Sequence, residues 1–344
     1  MKLFQFFIGF VITVLIFYLL IVGKDLLIPL VLAVIIWYLI NILSNAFQKI
    51  RIKSFHLPTW MCFTFSIITI SGLIALLVNL ISSNIADVVV VAPVYQKKFT
   101  SLIAQGYGLF GLQEPPSMRQ IFSNINIGSL LSQFAVTITG FVSKAGIIVI
   151  YLIFLFLEQK SFRLKLTALI KNPVRRGEIF NMIEKIDKEI QVYIGIKTFD
   201  SVLTGVLSYL VMSSQDLDFA EFWAILILTL NFIPTFGSIV ATIFPSLFAI
   251  IQYDSLYPIL VVAGGIGFLQ FLIGNIMEPR LMGSNLNLSP LVILLSLGLW
   301  GALWGIAGMI LCVPITVIAL IIFSHFQPTR PIAIFLSKDG QIIK

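Results

Sequence analysis

Few polar residues interrupt the apolar runs of this sequence, and those few are the residues that could do chemistry. One group, NFIPTFGS, begins at Asn231 near the middle of the apolar run 222–252. Pro234 removes a backbone donor and clashes with the preceding helical turn, whereas Gly237 permits the turn that follows. The backbone groups freed there and the Asn231 side chain could hydrogen-bond a polar solute. The alternative is that Asn231 caps a helix and Pro234 only kinks it. The predicted solute-binding or gating residues of this segment are Asn231, Pro234, Gly237 and Ser238.

A second group follows the apolar run 255–275, in the sequence NIMEPR. Glu278 and Arg280 are two positions apart, a spacing at which helical side chains do not face each other, and the proline between them should end the helix. They need not form one ion pair, and they could instead mark the inner membrane boundary. Glycines then break the apolar run 289–323, where a turn competes with close helix packing of the GxxxG type. The predicted solute-binding or gating residues here are Asn275, Glu278, Arg280, Gly301 and Gly305.

Charged residues inside apolar runs are the third chemical feature. Ion coupling requires a titratable carboxylate within the membrane, and Asp200 and Glu278 are the candidates for it. Lys197 precedes Asp200 by about one helical turn, close enough to pair along the helix. Lys144 lies in the apolar run 134–157, where it either contacts an ion or solute or extends its stem to the outer interface; we favour the interface.

The composition places these residues in a membrane protein. The chain has 344 residues, is 59% hydrophobic and only 11% charged, and has a mean hydropathy of +1.05. A soluble domain of this size could not bury so much apolar surface, so the lipid bilayer is the expected solvent. The net charge of +7 comes from loops between the apolar runs, which fits cytoplasmic loops and excludes a nucleic-acid partner. We find no nucleophile–base set, metal cluster or phosphate loop, and expect no catalytic residue, metal or cofactor.

The elements that must position these residues are membrane helices, which need about 20 apolar residues each. The sequence predicts an all-α, polytopic protein with about six full spans and two broken or re-entrant hairpins in the longer runs 222–252 and 289–323. The arms of such a run are too short to cross the bilayer, and broken backbone is tolerated only within protein or along a cavity. The predicted spans are Leu3–Val22, Leu26–Ser44, Thr59–Ser83, Phe134–Leu157, Val192–Ser214 and Ser255–Asn275.

The charges between these runs predict the orientation of the chain. Loop 45–58 carries Lys49, Arg51 and Lys53 and no acid, so it should be cytoplasmic, with both termini on the same side. The predicted regions are a three-helix membrane region (1–83), an amphipathic extramembrane segment (84–133), a fourth span (134–157), a cytoplasmic helical segment broken at Asn172-Pro173 (158–191), a transport core (192–323) and a cytoplasmic tail (324–344).

The two broken runs also match at a fixed offset. Leu217 and Pro245 are 28 positions apart, and so are Leu286 and Pro314. Each unit combines a polar loop with a broken apolar run. This pattern predicts an inverted repeat of the kind found in secondary transporters, whose broken helices meet near the membrane midplane.

Three stretches carry a family resemblance: YIGIKTFDSVLTG, the I-P-x-x-G element at Ile233, and the E-P-R-x-M-G element at Glu278. They resemble the autoinducer-2 exporter family, especially its quorum-signal transport branch. The resemblance implies a bacterial cytoplasmic-membrane transporter that exports a small polar molecule such as autoinducer-2. It also implies homo-oligomers, with a pentamer as one arrangement. Sodium or lithium/proton exchange, reported for other members, is the alternative function, and a non-transporting membrane scaffold ranks third.

Overall fold

The computed structural model describes residues 2–49, 58–109, 140, 143–283 and 287–341. Within these ranges all regular secondary structure is helical, which confirms the all-α prediction. The helices are α1 (Lys2–Val22), α2 (Lys24–Lys49), α3 (Thr59–Leu109), α4 (Ala145–Leu169), α5 (Pro173–Ser213), α6 (Ala220–Leu230), α7 (Phe236–Gln252), α8 (Leu256–Phe271), α9 (Glu278–Met282), α10 (Pro290–His325) and α11 (Arg330–Leu336). A π-helical turn, Leu272–Met277, joins α8 to α9, and a 3₁₀ turn, Gln327–Thr329, precedes α11.

Several of these helices are long and apolar enough to cross a membrane. Five described stretches qualify, and α4 makes a sixth if its two parts, which meet at an angle of 61°, count as one broken span. The chain is therefore a multi-pass membrane protein, as its composition predicts. Helices α6 and α7 are shorter than a full span, as expected for the arms of a broken run. The five stretches are Lys24–Lys49, Thr59–Leu80, Pro173–Ser213, Leu256–Met282 and Pro290–His325.

The chain divides into two compact units. The first unit comprises Met1–Ile70, Lys144–Ile196 and Leu281–Lys344, and the second comprises Ser71–Ser143 and Lys197–Arg280. Three of the four unit boundaries fall inside helices, namely α3, α5 and α9, and the fourth lies directly before Lys144. Helix α3 thus runs on into the predicted extramembrane segment 84–133, whose residues 110–133 lie outside the described ranges.

In the first unit, aromatic residues pack α2 and α3 against α4. The Phe63 and Phe156 rings meet edge to face with centroids 4.7 Å apart, and the Trp37 indole donates to Gln159. Lys144, directly before α4, contacts Asp25 at the start of α2, with Nζ 2.7 Å from Oδ1. Asp25 is 78% exposed, so the lysine pairs at an open helix end, and its place at the outer interface stays a prediction.

In the second unit, small residues let three helices approach each other closely. A Cβ at Gly205 of α5 would lie 3.2 Å from the carbonyl oxygen of Ala224 in α6, and one at Gly265 of α8 would lie 2.8 Å from a Val211 methyl. Both glycines therefore lie at helix crossings, where small residues are typical of membrane helices. The far part of α3 joins this unit through Tyr95, whose hydroxyl donates to Asp218 at 2.5 Å. Burial raises the pKa of Tyr95, which keeps the hydroxyl a donor.

Candidate functional site

The first broken run is a helical hairpin formed by α6 and α7. Its base is closed where the Gln252 side chain at the end of α7 donates to the Asp216 carbonyl before α6, at 3.0 Å. Higher up, the Trp223 and Phe248 rings pack with centroids 5.2 Å apart. The two arms are therefore antiparallel neighbours, which confirms the predicted break at the NFIPTFGS segment.

The tip of this hairpin is shaped by close backbone approach. Asn231 is the C-cap residue directly after α6, and Thr235 has φ of +59°, in the left-handed region. A Cβ at Gly237 would lie 1.7 Å from the Leu230 carbonyl oxygen, so only glycine fits there. Gly237 is thus needed for space at the turn, and Thr235, which the sequence analysis did not single out, carries the unusual backbone angle.

The second broken run, α10, folds back on itself. Gly305 has φ of +61° and ψ of −139°, a combination open essentially to glycine alone. On either side of it, the Ser296 and Thr316 hydroxyls lie 2.5 Å apart. Residues twenty positions apart in a straight helix would be separated by about 30 Å. The run is therefore a hairpin with its turn at Gly305, as predicted, and not a straight helix with a packing motif.

A buried polar face on α5 lies in the second unit. Each of its residues lies three or four positions from another member of the set, and they therefore project from one side of the helix. All of them are at most 5% exposed. Hereafter we call this set the polar face; it comprises Lys197, Asp200, Ser201, Thr204 and Ser208.

Lys197 lies close enough to Asp200 in the sequence to pair along the helix, but its ion pair is with another residue. Its ammonium instead contacts Glu278, with Nζ 2.7 Å from Oε1. Along a helix, a lysine that precedes its acid is the less favourable order for pairing. The chain offers a better partner, because α9 brings Glu278 to the same face.

The Asp200 carboxylate takes no part in this ion pair. It is fully buried, and neither of its carboxylate oxygens has a hydrogen-bond partner among the described residues. Burying a carboxylate without hydrogen bonds is costly, and an ionisable residue in a membrane helix is by default a functional candidate. Asp200 is thus an acceptor available to a proton, a cation or a solute hydroxyl.

The hairpin tip reaches the polar face through Asn231. Its side-chain amide, 5% exposed, donates to the Ser201 hydroxyl at 3.5 Å. The neighbouring Pro234 is half-buried, and the Ser238 hydroxyl donates within its own turn to the Thr235 carbonyl at 2.9 Å. Of the four residues predicted in this segment, Asn231 is therefore the one whose side chain contacts the polar face.

The E-P-R element differs from its prediction at the proline. Pro279 does not end the helix, because α9 continues to Met282. The π-helical turn directly before α9 includes Asn275, the position whose carbonyl would clash with the proline ring in a regular helix. Asn275 and Arg280 are both exposed, so Glu278 alone of these three joins the buried pair.

The remaining predicted residues, Gly301 and Gly305, belong to the first unit. There a Cβ at Gly301 would lie 3.1 Å from the Met309 side chain. Gly308, which was not among the predicted site residues, matches Gly237: its Cβ would lie 1.8 Å from the Trp300 carbonyl oxygen. The sequence analysis also missed Ser201, Thr204 and Ser208. The signal that could have found them was small hydroxyl residues recurring every three or four positions after Lys197.

Comparison with known proteins gives consistent matches. A family model described as AI-2E family transporter matches residues 10–327. A putative transport protein of Borreliella burgdorferi is 36% identical over 200 residues, which cover 58% of this chain and 55% of the relative. The AI-2 transport protein TqsA of Escherichia coli is 32% identical over 209 residues, 61% of this chain and 60% of the relative. A putative transport protein of Haemophilus influenzae is 29% identical over 301 residues, 86% of this chain and 85% of the relative.

Proposed function

This chain belongs to the AI-2E family of transporters, and we propose that it exports a small polar molecule across the bacterial cytoplasmic membrane. The observation that carries this proposal is Asp200, a fully buried carboxylate with both oxygens open on the polar face of α5. Transport residues of membrane proteins are commonly such buried polar groups within broken or closely packed helices.

The chemistry of the polar face favours a hydroxyl-bearing solute. Asp200 offers two acceptors, and Ser201, Thr204 and Ser208 carry hydroxyls that can donate or accept. The Ser208 hydroxyl has no hydrogen-bond partner among the described residues. Because one relative carries the name AI-2 transport protein, autoinducer-2 is the first solute to test.

Each part of the second unit has a proposed role. Asp200 accepts hydrogen bonds from the solute, and Asn231 couples the α6–α7 tip to the polar face. The ion pair of Lys197 and Glu278 sets the local charge without occupying Asp200. The tip is proposed to act as a gate. Its backbone is irregular only from Asn231 to Thr235, and short irregular segments between rigid helices absorb most of a hinge motion.

Sodium or lithium/proton exchange is the second candidate function. The same carboxylate favours it, because exchange requires a group in a membrane helix that can bind either a proton or a cation. Glu278 is the second carboxylate near that position, but it already holds Lys197. A cytoplasmic location of both termini and assembly into homo-oligomers remain predictions from the sequence.

Flux in liposomes separates the two functions. The purified chain would be reconstituted, and release of autoinducer-2 and of sodium would be followed side by side, with protein-free liposomes as the control. Release of autoinducer-2 without sodium-dependent proton movement supports export. Sodium-dependent proton flux alone favours exchange, and silence in both assays would favour a non-transporting role.

A further inference from the structure

The corner between α4 and α5 combines strong positive charge with exposed apolar side chains. From Gln159 to Gly177 the sequence holds six lysines and arginines and no acid. The corner itself is sharp, because α4 ends at Leu169 and α5 begins at Pro173. Asn172 caps α5 by accepting from the Val174 and Arg175 backbone amides at 2.9 and 3.3 Å.

Three large apolar side chains of this corner are strongly exposed. Leu164 is 74%, Leu169 is 77% and Val174 is 71% exposed. They lie beside cations: Lys171 and Arg175 are exposed and Arg176 is half-buried. Within the described ranges none of these three cations forms an ion pair, whereas Lys165 on the same corner is bound to Glu158 at 2.6 Å.

The bend in α4 sets the height of the corner above the membrane. The arm Ser161–Leu169 turns away from the preceding part of the helix by 61°. At 1.5 Å per residue, an arm of this length measures about 13 Å but advances only about 7 Å along the preceding axis. The step from Leu157, where the fourth span is predicted to end, to Ser161 adds about 6 Å, so the corner lies about 12–13 Å beyond the hydrocarbon. The headgroups extend about 5–7 Å beyond the hydrocarbon on each side, and the long lysine and arginine side chains of the corner can reach back to them.

We infer that this corner docks on anionic lipid headgroups of the cytoplasmic leaflet. Lys171, Arg175 and Arg176 bind the phosphates, and Leu164, Leu169 and Val174 lie against the headgroup layer. A second copy of the chain docked corner to corner is a poorer occupant, because two corners of like charge repel each other. A basic amphipathic segment next to a span is the arrangement that binds anionic membrane surfaces.

A fluorescent label at the corner tests this inference without any transport assay. The full chain with Cys62→Ala, Cys312→Ala and Val174→Cys would carry an environment-sensitive dye in nanodiscs. Phosphatidylglycerol would be titrated into phosphatidylcholine, and emission should shift to the blue as the anionic fraction rises. High salt should reverse the shift, because it screens surface charges.

Two matched double variants complete the test. Lys171→Gln with Arg175→Gln should weaken docking about 30-fold, given the typical contribution of two basic residues at an anionic surface. Lys97→Gln with Lys98→Gln, which removes two exposed cations of α3, should leave the titration unchanged. An emission wavelength that does not change as phosphatidylglycerol is added would overturn the inference. So would a blue shift equal in pure phosphatidylcholine and in the corner variant, since the label would then be packing against protein.

Discussion

The Asp200 carboxylate makes no hydrogen bond among the described residues, although it is buried in a membrane helix. Neither oxygen has a partner among the described residues. Removing its charge therefore breaks no bond and relieves a desolvation cost. We expect Asp200→Asn to melt at or above the temperature of the unaltered protein in detergent, as read by differential scanning fluorimetry. Melting well below that temperature would mean that Asp200 has a structural partner.

The Lys197–Glu278 pair should behave in the opposite way. Both side chains are largely buried, 6% and 19% exposed. Glu278→Gln leaves the ammonium without its counter-ion, which typically costs about 3 kcal/mol. The double variant Lys197→Met with Glu278→Leu should recover most of this stability, because an apolar pair of similar volume needs no counter-ion. A double variant as unstable as Glu278→Gln alone would contradict the account of the pair.

At the scale of single residues, the sequence identifies candidate functional residues better than it identifies which residues contact each other. Asp200, Asn231 and Glu278 stand out because polar groups are rare in apolar runs. Lys197 pairs with Glu278 and not with Asp200, its neighbour on α5, because α9 brings Glu278 to the same face. This contact joins residues 81 positions apart in the sequence, so the spacing of neighbouring residues could not predict it.

At the scale of elements, each hairpin depends on one glycine that lies against a carbonyl oxygen. A Cβ would come within 1.7 Å of Leu230 O at Gly237 and within 1.8 Å of Trp300 O at Gly308. Both glycines also follow a left-handed residue, Thr235 and Gly305 respectively. These glycines do not lie at the offset that separates Leu217 from Leu286, and the inverted repeat stays a prediction from the sequence.

Alanine at these glycines should open the tips. Gly237→Ala and Gly308→Ala should each lower stability by at least about 3 kcal/mol, because backbone cannot yield as a side chain can. Gly264→Ala and Gly298→Ala are the matched helical controls, with nothing within 4 Å of the added Cβ. The controls should be neutral or stabilising by up to about 1 kcal/mol. Equal melting temperatures for test and control variants would refute the close approach.

The variant Gly305→Ala should show the cost of backbone strain without any steric overlap. Nothing lies within 4 Å of a Cβ built there, so the cost of Gly305→Ala is purely conformational. For a non-glycine residue with these backbone angles, the expected loss is about 1–3 kcal/mol. Thermal unfolding in detergent should place it between Gly298→Ala and Gly308→Ala. No loss at all would mean that α10 turns elsewhere.

The breaks themselves were predictable because proline and glycine act locally. Pro234 and the glycines of α10 mark both turns correctly. Pro279, by contrast, suggested a helix end that does not occur. A π-helical turn accommodates it, and nothing in the sequence NIMEPR distinguishes that solution from a break.

At the scale of the whole molecule, composition was sufficient to predict a multi-pass helical membrane protein. It could not predict the two compact units, because three of their four boundaries fall within the helices α3, α5 and α9. A helix shared between units shows no change of composition at the boundary. The buried polar face begins at Lys197, the first residue of the second unit in α5.

The central proposal is that the open carboxylate of Asp200 contacts the transported species. Its most direct test is flux through Asp200→Asn in proteoliposomes, beside the unaltered chain and Gly264→Ala at equal reconstituted amounts. Flux of the transported species, autoinducer-2 or sodium, should fall roughly ten- to hundredfold, as expected for losing a hydrogen bond to a charged acceptor. Gly264→Ala should keep full flux. Unchanged flux through a correctly folded Asp200→Asn protein would contradict the claim.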